Sequence, residues 1–405
     1  MTVAVAVAAA KTSTGTQSIT TTDLGGLTPK AALFIYSRGT SDGATAADGA
    51  GSFGVCDATS QWAVASYVKD AGGGVMGDVG KTNKCVVALK SGTGTEIHSE
   101  AGFSAFITNG VTINWTTATA DGWLLTVVLF GGADWSAKVG VTTSVASVSV
   151  DVGFEPSFVL FGGVNGNMSG AVQSGSRARY AFGGQAWNAA GRTGAAQCTW
   201  TWPFSDEQDF CMVNDVACGI QFEAIGGIYS IDVARYATGF TFGNGYQEAD
   251  DWGYMALRWE GGETFCKLLE ITSATGAQSF TGFGFQPQFA LILPSANVSN
   301  GAPENRRCGI VAATETKLGG FSTSARLTGG GGGFIEKSVA IEGTIRLVDQ
   351  SLADFIVGTL TSFDADGLTL NITTAPAIAR QWPVLAFGPD VGGGGSERLQ
   401  GWVID

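Results

Sequence analysis

Apolar and polar residues alternate with a period of two through the most informative parts of the chain. "SVSVDVGF" places Val148, Val150 and Val152 on one face, and "VTIN" from Val111 and "LTLN" from Leu368 do the same with their branched residues, the pattern of half-buried strands. Short unbroken apolar runs interrupt this alternation: "AALFIY" from Ala31, "FVLF" from Phe158 and "FALIL" from Phe289. Such runs suit strands covered on both faces. Convincing helical periodicity is scarce. Gly, Ser, Asn and Asp break the strands at the spacing of a sandwich or barrel, so the pattern predicts an all-β chain.

The apolar runs belong to a phrase written three times. Residues 26–36 read "GLTPKAALFIY", residues 153–163 "GFEPSFVLFGG" and residues 284–294 "GFQPQFALILP". A second phrase follows each: "GVTIN" at Gly110, "GFTFG" at Gly239 and "GLTLN" at Gly367. A tryptophan closes each copy 13, 13 and 15 residues further on, at Trp123, Trp252 and Trp382. These anchors in register imply a tandem repeat of about one domain length. The expected fold is three tandem homologous β-sandwiches of jelly-roll type, at residues 1–134, 135–262 and 263–390, followed by a Gly-rich tail at 391–405. The joints fall in "GGADWSAKVG" (131–140) and "EGGETFC" (260–266).

Each repeated element has a physical reading. Proline fixes φ and donates nothing to a ladder, so Pro29, Pro156 and Pro287 mark strand starts or edges. The second phrase reads as a hairpin: an aromatic (Phe106, Tyr236, Phe363), a turn ending in glycine, then an alternating strand. "MTVAVAVAAAK" at the start is neither a convincing signal peptide nor long enough to span a bilayer, and reads as an edge strand or arm. Residues 164–220 and the five glycines 329–333 vary most and are where loops and specificity would sit. The tail ends in Trp402, Val403 and Ile404, an apolar tip suited to docking on a neighbour.

Composition narrows the function. Charged residues make up only 14% of the chain, with 61 glycines and an apolar fraction of 44%. Large cores and contact with neighbouring subunits follow. A net charge of −13 repels phosphate backbones and anionic lipid, so neither nucleic acid nor membrane insertion is expected. Seven cysteines (Cys56, Cys85, Cys198, Cys211, Cys218, Cys266 and Cys308) form no CxxC pair and are expected to be reduced, buried thiols. Without secretion, Asn-x-Ser/Thr triplets such as those at Asn114 and Asn371 carry no meaning.

Candidate chemistry is sparse. "GGGVMGDVGKT" fails as a phosphate-binding loop: five places before Gly80-Lys81 stands Val75, and no helix pattern follows. His98 is the only histidine, so three similar domains cannot each hold a histidine-based triad. Strand alternation in "TEIHSE" puts Glu96, His98 and Glu100 on one face, as a weak metal or acid–base cluster or as a plain solvated face. Glu248, Asp250 and Asp251, and separately Asp364 and Asp366, are the carboxylate groups a glycosidase could draw on. Both lie where hairpin turns favour Asp. Calcium has weak support at Asp364-Ala-Asp366-Gly367, which lacks the later glutamate of a calcium loop.

Tryptophans sort into two groups. Trp123, Trp252 and Trp382, with Trp62 and Trp187 recurring in two copies, read as core. Trp200 and Trp202 in "CTWTWPF" alternate onto a common face of a variable segment, where flat rings stack on sugars, anchor an interface or pack locally.

The succession "GFxPxxxLF", "FGVCDATSQWAVAS" and "GVTINWTTATADGWLLTVVLFGG" resembles a repeat of tail-fibre-like proteins of tailed bacteriophages and related gene-transfer particles, best over residues 16–134. The second copy lacks "DATSQ" and the third its tryptophan. The resemblance implies a non-enzymatic virion structural protein of tail-fibre, head-spike or decoration type, made in the host cytoplasm. It carries no catalytic residues, and neither cofactor nor metal is expected. Its partners would be other virion proteins, further copies of itself, with a trimer expected from fibres and spikes, and host surface glycan or protein. The alternatives are a purely architectural adaptor or cement protein, and a glycan-degrading spike enzyme.

Overall fold

A computed structural model describes residues 2–389 apart from 47, 70–75, 91–95, 144–146, 165–167, 175–177, 189–190, 203–207, 215–218, 223–227, 245–250, 300–306, 329–332 and 349–352. Among these residues the chain is all-β, with antiparallel pairing, no α-helix and a short 3-10 turn at Thr22–Leu24. No helix among them is long and apolar enough to cross a membrane.

The strands form six sheets in three pairs, met one after another along the chain. Large sheet I runs in the order Thr2–Ala9, Leu124–Gly131, Pro29–Tyr36, Gly49–Asp57, Gln61–Val68, Met76–Lys81. Small sheet I runs Gly15–Thr20, Gly110–Thr117, Ile97–Ile107, Val86–Leu89. Counted along the chain, these are first, tenth, third, fourth, fifth and sixth strands in the large sheet, and second, ninth, eighth and seventh in the small one. Sheets II, between Trp135 and Trp259, and sheets III, between Gly262 and Pro389, have the same order. The opening segment pairs along its whole length, from Thr2 with Gly131 to Ala9 with Leu124, as the edge strand its alternation predicts.

Each third strand is covered on both faces, which is why its sequence is a continuous apolar run. In Pro29–Tyr36, Ala31, Leu33 and Ile35 turn into a cluster shared with Phe158 and Leu160 of large sheet II and Phe289 and Leu291 of large sheet III. Ala32, Phe34 and Tyr36 turn the other way and pack with Val111, Ile113 and Trp115 of small sheet I. Large sheets II and III meet their own small sheets in the same way. The three large sheets therefore face one another across one buried core, and the small sheets stand outside.

Short strands also cross between pairs. Thr45–Ala46 pairs with Gly333–Glu342 at the edge of large sheet III, and Gln173–Ser174 pairs with Met76–Lys81 at the edge of large sheet I. Each crossing strand covers two residues of an otherwise open sheet edge.

Register defines two ends. Pro29 lies opposite Gly131 and Ala31 opposite Asp57, so the proline lead-ins, the turn at 57–60 and the joints near 131–135 and 259–262 share a turn end. Tyr36 lies opposite Leu125 and Ser52, placing residues 37–48, Trp123 and the far end of the fifth strands at a loop end.

Candidate functional site

The two repeated phrases meet in one clamp at the turn end. Asn109, in the left-handed region at φ 63°, accepts from Gly26 N at 2.6 Å through Oδ1 and from Thr21 N at 2.9 Å through its carbonyl. Asp366 holds the corresponding place in the third pair: Oδ2 accepts from Gly282 N at 2.9 Å and Oδ1 from Gly284 N at 2.6 Å. In the second pair the carbonyl of Thr238 accepts from Val152 N and Gly153 N at 2.8 and 3.0 Å. The glycine that follows recurs for steric reasons. A Cβ on Gly110, Gly239 or Gly367 would collide with the carbonyl of Ile19, Val150 or Phe280. The amides of Gly284 and Gly282 hold the Asp366 carboxyl below its usual range, and Thr369 and Ser362 do the same for Asp364. Turn chemistry thus accounts for both aspartates.

"DATSQW" builds the seam between large sheets I and II. Asp57 Oδ1 accepts from Thr59 N and Ser60 N, both at 2.7 Å, which shapes the turn, while Oδ2 accepts from Val139 N of large sheet II at 2.7 Å. Gln61 Oε1 accepts from Phe103 N of small sheet I at 2.6 Å. Trp62, fully buried, donates from Nε1 to the carbonyl of Tyr254 in large sheet II at 3.0 Å. Its indole fills space left by Gly162 and Gly253, where any Cβ would overlap a ring of large sheet I.

The seam between large sheets II and III uses the same position with other chemistry. Val139 lies opposite Met255, and Cys266 opposite Leu385, so the two residues correspond. Cys266 N donates to Thr193 Oγ1 at 3.1 Å. In both seams a side chain from the preceding pair satisfies an outward N–H of an edge strand, which lowers the hazard of an open edge. Between large sheets III and I, Ala340 N donates to the Ala44 carbonyl and Gly43 N to the Ala340 carbonyl, both at 3.0 Å, and Asp42 Oδ1 accepts from Glu342 N at 2.6 Å. A cleft of about 430 Å³ lies on this seam, which no chain joint crosses; Asp23, Gln286, Gln288 and Glu315 are among its lining residues. Aromatic contacts tie all three sheets together, with Phe53 on Phe182 and Phe158 on Phe387, each at 4.7 Å between centroids.

At the loop end of pair I, His98 departs from both of its sequence readings. It is 7% exposed, lies flat on Trp123 at 3.9 Å, and reaches Asp121 Oδ2 from Nε2 at 2.8 Å and Ser99 Oγ from Nδ1 at 3.1 Å. Ser99 Oγ in turn donates to the Tyr36 hydroxyl at 3.2 Å. Burial lowers the imidazole pKa against the opposing pull of Asp121, and burial pushes the Tyr36 hydroxyl up to about 12. Neither the metal cluster nor the solvated face survives, because an irregularity in pairing between Ala88 and Leu89 breaks the alternation. Glu96 instead pairs with Lys90 at 2.7 Å, and Glu100 with Lys81 and Lys84. Burial would raise the Glu100 pKa, but the two ammonium groups outweigh it and the net shift is downward. Although Ser99, His98 and Asp121 are in contact, Ser99 is 1% exposed, so no substrate reaches its hydroxyl. No group of three metal-binding side chains occurs among the described residues.

The other singled-out residues find plain places. Trp123, Trp252 and Trp382 are buried, each in a different apolar cluster. Trp252 and Trp382 occupy corresponding positions, while Trp123 stands two residues earlier and so keeps the same face. Trp62 and Trp187 do not correspond. One is on the fifth strand facing the shared core, the other near the end of the fourth strand in a sandwich core. Gly80 and Lys81 end a strand. Asp251 accepts from Thr143 Oγ1 at 2.8 Å and Met168 N at 2.9 Å; Glu248 and Asp250 lie outside the described residues. Trp200 and Trp202 end the strand Gly191–Trp202, paired with Phe210 and Gln208 at the loop end; their side chains lie outside the described residues, as do Trp402, Val403 and Ile404. Cys56, Cys85, Cys266 and Cys308 are buried, and burial pushes the first three thiols up. Cys198, Cys211 and Cys218 lie outside the described side chains.

One repeated element escaped the sequence reading. Gln17 bridges Lys11 N at 3.0 Å and the Ala9 carbonyl at 2.8 Å, and Gln278 bridges Thr272 N at 2.9 Å and the Ala274 carbonyl at 2.7 Å. The signal was present as "TGTQSIT" and "TGAQSFT".

No family model and no curated protein matches the chain. Among solved structures, a BenF-like porin from Pseudomonas fluorescens Pf-5 is similar at 12% identity over 89% of this chain and 98% of the porin, with a TM-score of 0.10. A likeness of that size carries no argument about fold.

Proposed function

We propose that the protein is a non-enzymatic structural component of a bacteriophage virion, of tail-fibre, head-spike or decoration type. In this reading it is three homologous β-sandwich units, at residues 1–134, 135–262 and 263–390, that serve particle assembly and present loops for attachment to host surface glycan or protein. The observation that carries it is the shared core. Three large sheets contribute to one buried cluster, and short strands from two pairs complete the edges of others. A body of this kind is a strut, because its core is continuous across all three large sheets. The resemblance of the "DATSQW" region to particle proteins supplies the setting, and the seam explains why those residues are needed.

The test uses purified protein and host cells. Retention by cells or by their isolated surface polysaccharide, lost on Trp200→Ala with Trp202→Ala, is the expected result. Failure of both to retain it would leave a purely architectural role. Absence of the protein from purified particles would overturn the whole reading.

A further inference from the structure

The exchange of edge strands has a symmetry that restricts how the protein meets a partner. Thr45–Ala46 lies between the third and fourth strands of its pair and joins the sixth strand of large sheet III. Gln173–Ser174 lies between the third and fourth strands of its pair and joins the sixth strand of large sheet I. Both are the same step, from one pair to the pair before it, and the step from first to third closes a ring. A screw arrangement would leave an open end instead. Corresponding turns therefore stand at one height around an axis, and the turn end displays the three clamped lead-ins together.

This end is rimmed by exposed carboxylates from every pair: Asp23, then Asp151 and Glu155, then Glu315 and Asp366. Several of its basic side chains are drawn onto the fold. Lys30 donates to the carbonyls of Ala133 and Trp135 at 3.1 and 2.7 Å, Arg235 pairs with Glu155 at 3.1 Å, and Lys267 donates to the Thr281 carbonyl at 2.6 Å. The inner faces of the large sheets are spent on the shared core and the outer faces on the small sheets. The closure that a fibre obtains from three chains is made here within one.

We propose that a single chain docks through its turn end on a threefold-symmetric partner surface bearing basic side chains, one chain per axis. This rests on the virion reading, since the partner is then another particle protein. Light scattering and particle imaging test it together. The purified chain is expected to be a monomer of 41.5 kDa. In averaged images of the particle its density should lie on a threefold axis, turn end inward. A triple variant with one reversal per pair, Asp23→Lys, Glu155→Lys and Glu315→Lys, should stay monomeric with unchanged circular dichroism and lose at least about tenfold in particle occupancy, as expected when complementary charge becomes repulsive. Trp200→Ala with Trp202→Ala should keep full occupancy. Three chains per assembly, an axis of another order, a loop end facing the particle, or a folded triple variant at full occupancy would each overturn the inference and leave the virion reading standing. A particle without the protein would remove both.

Discussion

At the turn end, three stretches of chain solve one problem in nearly the same way; at the loop end, the same three stretches diverge. Asn109, Thr238 and Asp366 each clamp a glycine-containing lead-in. Their neighbours at the other end differ in length and chemistry: the fifth strand has 8 residues in Gln61–Val68, 12 in Gly191–Trp202 and 11 in Leu318–Thr328. The difference teaches where repetition comes from. Residues recur where one backbone passes within contact distance of another, as at Gly110, Gly239 and Gly367, and the fifth strands, whose far ends carry no such shared contact, differ in length.

The largest effect that would break this comparison lies at the seam. Trp62→Ala removes a fully buried indole and its bond to Tyr254, and should cost about 3–5 kcal/mol in denaturant unfolding. A cost under about 1 kcal/mol would mean that the sheets do not lean on Trp62. Next comes Asp57→Ala, which strands the amides of Thr59, Ser60 and Val139 and should cost about 2–3 kcal/mol. Thr193→Ala, which loses the single bond to Cys266 N, should cost about 1 kcal/mol. If the order of the two is reversed, the seams are not the corresponding structures described above.

Acid separates the ends more finely. Asp364 and Asp366 have folded pKa values below their usual 3.8, so the unfolded chain binds protons first. Their contribution is intact above pH 3.8 and is lost as pH falls through the folded values. His98, at the other end, also has a folded pKa below its usual 6.5, so the unfolded chain again takes the proton first and stability starts to fall below pH 6.5. Thermal unfolding from pH 7 to pH 3 should show a shallow loss beginning near 6.5, removed by His98→Gln, and a later loss reduced by Asp366→Asn. A stability curve that His98→Gln leaves unaltered would show that the imidazole is not buried against Trp123. Last, Trp200→Ala with Trp202→Ala should abolish retention on host cells in a pull-down read against the unaltered protein.

The all-β class, the edge strand at the start, the strands covered on both faces and the buried tryptophans were legible in the sequence because each depends on a local period or on a residue type with one dominant physical use. The sharing of a single core was not. "AALFIY" announces two covered faces but cannot say that one of them is covered by residues more than a hundred positions away. The pairing irregularity at His98 was equally hidden, since one extra residue in a strand reverses the side on which every later side chain falls. "DATSQW" stood out as a motif, yet its task is visible only when Asp57 and Trp62 are seen reaching large sheet II.

Calorimetry tests the shared core most directly. Three large sheets that bury one another should unfold together, giving a single transition whose van't Hoff and calorimetric enthalpies agree. Separate transitions assignable to residues 1–134, 135–262 and 263–390, each surviving when the others have melted, would contradict it.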